Sequence, residues 1–223
     1  AAAVEVLHTA TLVHDDLIDN SLLRRGNPTL NSYWKSGVVV LVGDYLFGQA
    51  AELESRSRNL DMSEIFAKTV SVICRGELGS MLDRQPWAIS RQGYYDKIYA
   101  KTASLFATCS EAGAIISGSS ASERAQLREY GRNLGMAFQV ADDILDFVGS
   151  ESILGKPVGS DLRQGTVTLP SLLYVEKHRS DALVRSVIDG SAGNGEVSEL
   201  VDLIRRSSAI DESFTIARDF VRA

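Results

Sequence analysis

Apolar residues recur along this chain at intervals of three and four almost without interruption, and very little in the sequence can break that rhythm. Only four prolines occur in 223 residues. The Asp189-Gly190 and Asn194-Gly195 dipeptides are not flanked by alternating apolar residues as a hairpin would require, and strictly alternating stretches are few, so little room is left for a sheet. The pattern predicts an all-α fold, with helices at 2–20, 28–35, 38–57, 62–82, 90–117, 121–150, 168–178, 180–189, 195–207 and 211–222. The breaks fall where Gly, Pro and Ser cluster: "RRGNP", "DRQPW", "SGSSAS", "GSESILGKPVGSDLRQGTVTLP" and "DGSAGNG". Ser120 or Ser122, ahead of "ERAQLREY", is the expected cap of one of these helices.

Size and charge narrow the class. With 44% hydrophobic and 23% charged residues, the chain suits one domain spanning 1–223. A formal charge of −6 and the lack of a basic block argue against nucleic acid as a partner. Cys74 and Cys109 both fall in helical segments, which fits a reducing, cytoplasmic location without a disulfide framework. The longest apolar run, "VVVLV" at 38–42, is too short to span a bilayer, although peripheral membrane contact stays open. The chain starts in mid-pattern, without Met or a cap and without a signal peptide, so preceding helices are expected to be missing from it.

Within this helical background one acidic pattern occurs twice. "DDLID" at 15–19 returns as "DDILD" at 142–146, each near the end of an apolar helix. Asp15 and Asp19 stand four apart, as do Asp142 and Asp146, so each pair shares a helix face, with Asp16 and Asp143 beside them. Sixteen aspartates make one such pattern by chance unusual and two rare. Like charges at this spacing repel by a few tenths of a kcal/mol, and anions at a helix C-terminus oppose the macrodipole by about 0.3–1 kcal/mol each. Some ligand must offset this. Carboxylates without neighbouring Cys or His suit Mg²⁺, which prefers one or two carboxylates plus waters and substrate phosphates. The sequence therefore points to a Mg-bound phosphate compound.

Cations stand where such a compound would need them. Arg24 and Arg25 follow Asp19 closely and can grip phosphate in bidentate fashion. Lys101 shares a helical stripe with Tyr94, Ile98 and Leu105, which places an ammonium on a core-facing surface and implies a polar cavity there. Lys156, in the loop before Asp161, can close over the same anion.

Taken in order and spacing, "HTATLVHDDLIDNSLLRRGNP", "GDYLF", "KTASLF", "FQVADDILD" and "GKPVGSDLRQGTVTLP" resemble the trans-type isoprenyl diphosphate synthases, along nearly the whole chain. The resemblance implies an isoprenoid synthase fold, an antiparallel helical bundle around a central cavity, and a homodimer as the usual assembly. It implies elongation of an allylic diphosphate with isopentenyl diphosphate. By the same resemblance Asp15, Asp19 and Asp142 would be the direct ligands of three Mg²⁺. Asp16, Asp143 and Asp146 would support them, and Asp161 would act through water. Arg24, Lys101 and Lys156 match grips on the allylic diphosphate. Arg25 and His8 match contacts to isopentenyl diphosphate, and Thr102 and Gln139 match polar positions near the reacting carbons.

Product length is partly legible too. Ala10 and Thr11 precede Asp15 by about one turn, where the family's short-chain members carry bulky aromatics that form a cavity floor. Small residues there favour a product of about thirty carbons or more, since an isoprene unit is about as long as the roughly 5.4 Å helix pitch. Two features depart from the family pattern. The Lys and Arg motif that grips isopentenyl diphosphate would lie upstream of residue 1, and Thr166 stands where short-chain relatives often carry Lys, while Ser80, shortly after Glu77, stands where many members carry Gln. The intact "DDILD" argues against a terpene cyclase, and two intact acidic motifs argue against a non-catalytic partner subunit.

Overall fold

The computed structural model describes residues 1–24, 26–83, 85–150 and 157–223. It is all-α, as the periodicity requires. In chain order the helices are α1 (Ala2–Ile18), α2 (Ser36–Ser55), α3 (Leu60–Leu82), α4 (Arg91–Ile98), a π turn (Tyr99–Ala103), α5 (Ser104–Ile116) and α6 (Ala121–Val148). Beyond the 150s follow α7 (Ser160–Arg163), α8 (Leu169–His178), α9 (Ala182–Ile188), α10 (Asn194–Arg206) and α11 (Ser208–Arg222).

Two expected helices differ from expectation. The helix expected at 28–35 is instead a two-residue antiparallel ladder, Leu23–Arg24 with Asn27–Pro28, followed by a 3-10 turn at Leu30–Ser32. Gly26 adopts φ +78, which supplies the reversal. The rod expected at 90–117 is interrupted by the π turn at Tyr99–Ala103. That turn inserts one extra residue per turn, so a stripe counted at the α period loses register across it.

The core falls into two clusters. The larger joins α6 to α4, α8, α10 and α11 through Tyr94, Met136, Ile144, Phe147, Leu172 and Ile204. The smaller joins α1, α2 and α3 through Leu7, Ala50 and Phe66. The 28-residue α6, about 42 Å long, is the strut of the bundle. Its N-terminus carries a capping box: Ser120 Oγ accepts from Glu123 N–H, and the Glu123 carboxylate accepts from Ser120 N–H at 2.8 Å. It lies tight against the preceding rod because Gly135 has no side chain; a Cβ there would sit 2.5 Å from Ala103 Cα. Among the described residues no helix is long and apolar enough to cross a membrane.

Candidate active site

The first acidic motif ends α1 and the second lies in the last two turns of α6. Residues 123 positions apart in sequence meet here, because Asp19 and Asp142 line one cleft of about 530 Å³. Glu77 from α3, Lys101 from the π turn and Thr166 from the loop after α7 line it as well. Asp19 and Asp142 are exposed into this space and Asp15 is half-buried. Exposed carboxylates facing across a cleft are the donor set that suits a hard cation shared with phosphate oxygens. Among the described residues no three acidic, His or Cys side chains cluster tightly enough to cage a metal by themselves. A Mg²⁺ held here therefore needs waters or substrate oxygens to complete its shell, as its coordination chemistry favours.

The six aspartates take distinct environments. Asp16 accepts from Arg24, whose Nε lies 2.9 Å from Oδ1 and whose second nitrogen reaches the same carboxylate at 2.8 Å. Arg24, expected as a diphosphate grip, is thus engaged first with the motif itself. Asn31 donates to the Asp16 carbonyl at 2.6 Å and Thr29 to that of Ser21, fixing the turn that brings Arg24 back over the helix end. Asp143 is 4% exposed, and both of its oxygens are engaged: Tyr94 O–H and Leu169 N–H donate to Oδ2 at 2.7 and 3.3 Å, and Gln139 Nε2 to Oδ1 at 3.0 Å. Burial pushes its carboxyl up to about 6, against the hydrogen bonds from Tyr94 and Gln139. Asp146 is buried and accepts from Asp161 N–H at 3.1 Å, while its carbonyl accepts from Gly159 N–H. The carboxylates of the middle and last acids of "DDILD" therefore tie elements of the scaffold together, although Asp143 also lines the cleft.

Lys101 differs from the sequence expectation in its surroundings. It is not on a buried stripe: 46% of its side chain is exposed, because the π turn rotates it off the Tyr94–Ile98 face and into the cleft. There it pairs with Glu77 at 3.1 Å. Burial lowers the affinity of the ammonium for its proton, but Asp15 and Glu77 outweigh that and the net shift is upward. Asp15 is raised, chiefly by burial and further by Glu77 and Asp19, while Lys101 opposes the rise. Thr102 O–H donates to Gln139 Oε1 at 2.6 Å, so Thr102, Gln139, Asp143 and Tyr94 form one chain of hydrogen bonds beneath the cleft.

Other expected residues fall elsewhere. His8 is exposed on α1, two turns before Asp15, and does not line the cleft. Ala10 is fully buried, Thr11 donates to the His8 carbonyl, and neither lines the cleft. Asp161 lines it, and its carbonyl accepts from Thr166 N–H at 2.8 Å. Arg25 and Lys156 lie outside the described residues. Glu77 was not singled out as a site residue, although it continues the buried stripe Phe66, Thr69, Ile73 of α3. A charge on a buried helical stripe is the same signal that drew attention to Lys101.

Comparison with known proteins agrees with this geometry. The polyprenyl synthetase family model matches residues 1–204. The chain is 38% identical over 217 residues to heptaprenyl diphosphate synthase component 2 of Geobacillus stearothermophilus, covering 97% of the chain and 68% of that protein. It is also 38% identical over 227 residues to a short chain isoprenyl diphosphate synthase of Methanothermobacter thermautotrophicus, covering 100% and 70%. A crystal structure of polyprenyl synthase from Caulobacter crescentus complexed with calcium and isoprenyl diphosphate superposes with a TM-score of 0.89 at 40% identity, covering 98% of this chain and 68% of that one. The chain thus spans about two thirds of the length of these relatives. Two aspartate motifs facing one cleft, on a helical scaffold shared along the whole chain, show that it belongs to the polyprenyl synthetase family.

Proposed function

We propose that this chain is a Mg²⁺-dependent prenyltransferase that joins isopentenyl diphosphate to an allylic diphosphate, making a trans-polyprenyl diphosphate of about thirty carbons or more. The observation that carries this reading is the cleft that Asp19, Asp142 and Lys101 line together. Asp15, Asp19 and Asp142 would hold Mg²⁺, three ions by family resemblance, and the metal would neutralise the diphosphate so that the allylic C–O bond ionises. Lys101, released from Glu77, adds a charge-assisted bond to the same leaving group. The tie of Asp16 to Arg24 keeps a guanidinium beside the motif. Thr102 and Gln139, fixed by their mutual hydrogen bond, present oxygens near the carbons where positive charge develops. Attack by the double bond of isopentenyl diphosphate and loss of a proton to the departing diphosphate complete the reaction without a side-chain base. The apolar walls around Tyr94 and Ile98 limit water that would quench the charge.

A product of thirty carbons or more is supported by the small residues Ala10 and Thr11 and by the heptaprenyl relative. A short product is the second reading, favoured by the equally similar short-chain relative. A homodimer fits the exposed Val38, Leu41 and Tyr45 of α2, a face that a second copy can cover. The relative's designation as a component raises a two-chain assembly as the alternative.

The test uses purified protein, Mg²⁺, labelled isopentenyl diphosphate and farnesyl diphosphate, with products sized after dephosphorylation. Elongated alcohols that vanish with EDTA support the proposal. Cyclic hydrocarbons would make it a cyclase, and silence relieved only by a second polypeptide would make it a subunit.

A further inference from the structure

A second cavity, of about 520 Å³, lies between α3 and α4. Its volume falls within the roughly 300–1,000 Å³ range of small-molecule sites. It is continuous with the cleft, because Ser80, Asp83, Pro86, Lys97 and Val167 line both. Val72, Ile89 and Val167 give it apolar walls, and Gly76, Gly79 and Ala100 leave much of the remainder bare.

Two details set this cavity apart from a packing defect. Gly76 is explained by close approach, since a Cβ there would lie 2.5 Å from that of Ala100. Gly79 has no such reason: nothing lies within 4 Å of its Cβ position, and glycine is among the least favourable residues in a helix. Its evident effect is to keep the cavity open. The second detail is Lys97, half-buried on the wall between cavity and cleft, with no hydrogen bond or ion pair to the described residues. Arg75 adds another cation at the rim. The rim carboxylates are already engaged, Asp96 by Gln92 Nε2 at 2.9 Å and Asp83 by Gln85 N–H at 2.9 Å.

We propose that the α3/α4 cavity is a second, metal-independent site for an isoprenoid phosphate, with the chain against Val72, Ile89 and Val167 and the phosphate at Lys97. The ligand class rests on the reading of the neighbouring cleft as an isoprenyl diphosphate site. In this arrangement an allylic diphosphate or a product can dock beside the cleft without displacing what the aspartates hold.

The experiment is calorimetric titration with farnesyl thiolodiphosphate, whose bridging sulfur resists ionisation, in Mg²⁺ and again in EDTA. Two sites in Mg²⁺ and one in EDTA are expected. Gly79→Leu should weaken the EDTA-resistant site at least tenfold and leave the Mg-dependent one in place. Lys97→Gln should weaken the EDTA-resistant site about tenfold. Gly79→Ala, with open space for its methyl, should melt no lower than the parent and shows that α3 tolerates replacement there. A single, wholly EDTA-sensitive site overturns the proposal. So does EDTA-resistant binding that neither Gly79→Leu nor Lys97→Gln alters. Loss of Mg-dependent binding alone, with the resistant site intact and sensitive to both changes, would support the cavity and sink the reading of the cleft.

Discussion

Tyr94→Phe removes a single oxygen from the most buried polar contact of the site. The ring is 1% exposed and packs in the large core, so the phenyl group of the variant keeps its place. What disappears is the 2.7 Å hydrogen bond to Asp143 Oδ2, leaving that carboxylate with Gln139 and the more distant Leu169 N–H. A hydrogen bond to an ionised partner contributes about 1.5–3 kcal/mol, and a carboxylate at 4% exposure has no solvent to replace it. At about 2–4 °C per kcal/mol for a chain of this size, the melting temperature should fall by about 3–12 °C. The Tyr94 bond also helps hold the Asp143 carboxyl down against burial, so its loss lets that carboxyl rise further. Gln139, which donates to the same group, loses part of its anchor, and kcat/KM should fall by about tenfold, as expected for about 1.4 kcal/mol. Thermal melts followed by circular dichroism, with steady-state kinetics on the same samples, measure both. A melting temperature within 1 °C of the parent would refute the assignment of Asp143 as a carboxylate held by Tyr94.

Asp15→Asn and Asp142→Asn should each abolish Mg-dependent binding of farnesyl thiolodiphosphate while leaving the melt of the apoprotein nearly unchanged, since neither carboxylate makes a hydrogen bond to the described residues; retained binding in both variants would remove them from the metal site. Gly43→Ala places a Cβ 2.1 Å from His14 Nε2, forcing the ring off the Val40 carbonyl and Phe47, and should lower stability to urea by about 1–3 kcal/mol; an unchanged midpoint would show that the ring has room to move. Ala10→Phe should shorten the product, and because Ala10 is fully buried it should also lower the melting temperature through overpacking; chromatography showing unchanged chain length would remove Ala10 from length control. Burial pushes the Cys109 thiol up, so less of it is thiolate at pH 8, and in a Cys74→Ser background it should react with a disulfide reagent more slowly than free cysteine; equal rates would refute this.

The sequence by itself determined the helical class, most helix spans to within two or three residues, a cap at Ser120 or Ser122 and the two acidic motifs. Those are local properties: a 3.6-residue period, a cap and an i, i+4 pair are complete within one or two turns of chain. It also drew attention to Lys101, through an apolar stripe with Tyr94, Ile98 and Leu105 that the π turn interrupts. Only the tertiary structure decided which acids face the cleft and which face the scaffold. Asp142, Asp143 and Asp146 read alike in sequence, yet Asp143 is claimed by Tyr94, 49 residues away, and by Leu169, while Asp146 is claimed by Asp161. Partners brought from distant elements leave no periodic trace. The π turn was equally hidden: one extra residue in a turn alters no composition, but it turns Lys101 from the core face toward Glu77 and opens the rod expected at 90–117. Periodicity reports which side of a helix is apolar, whereas the choice among chemically identical side chains on that helix is made by whatever packs against it.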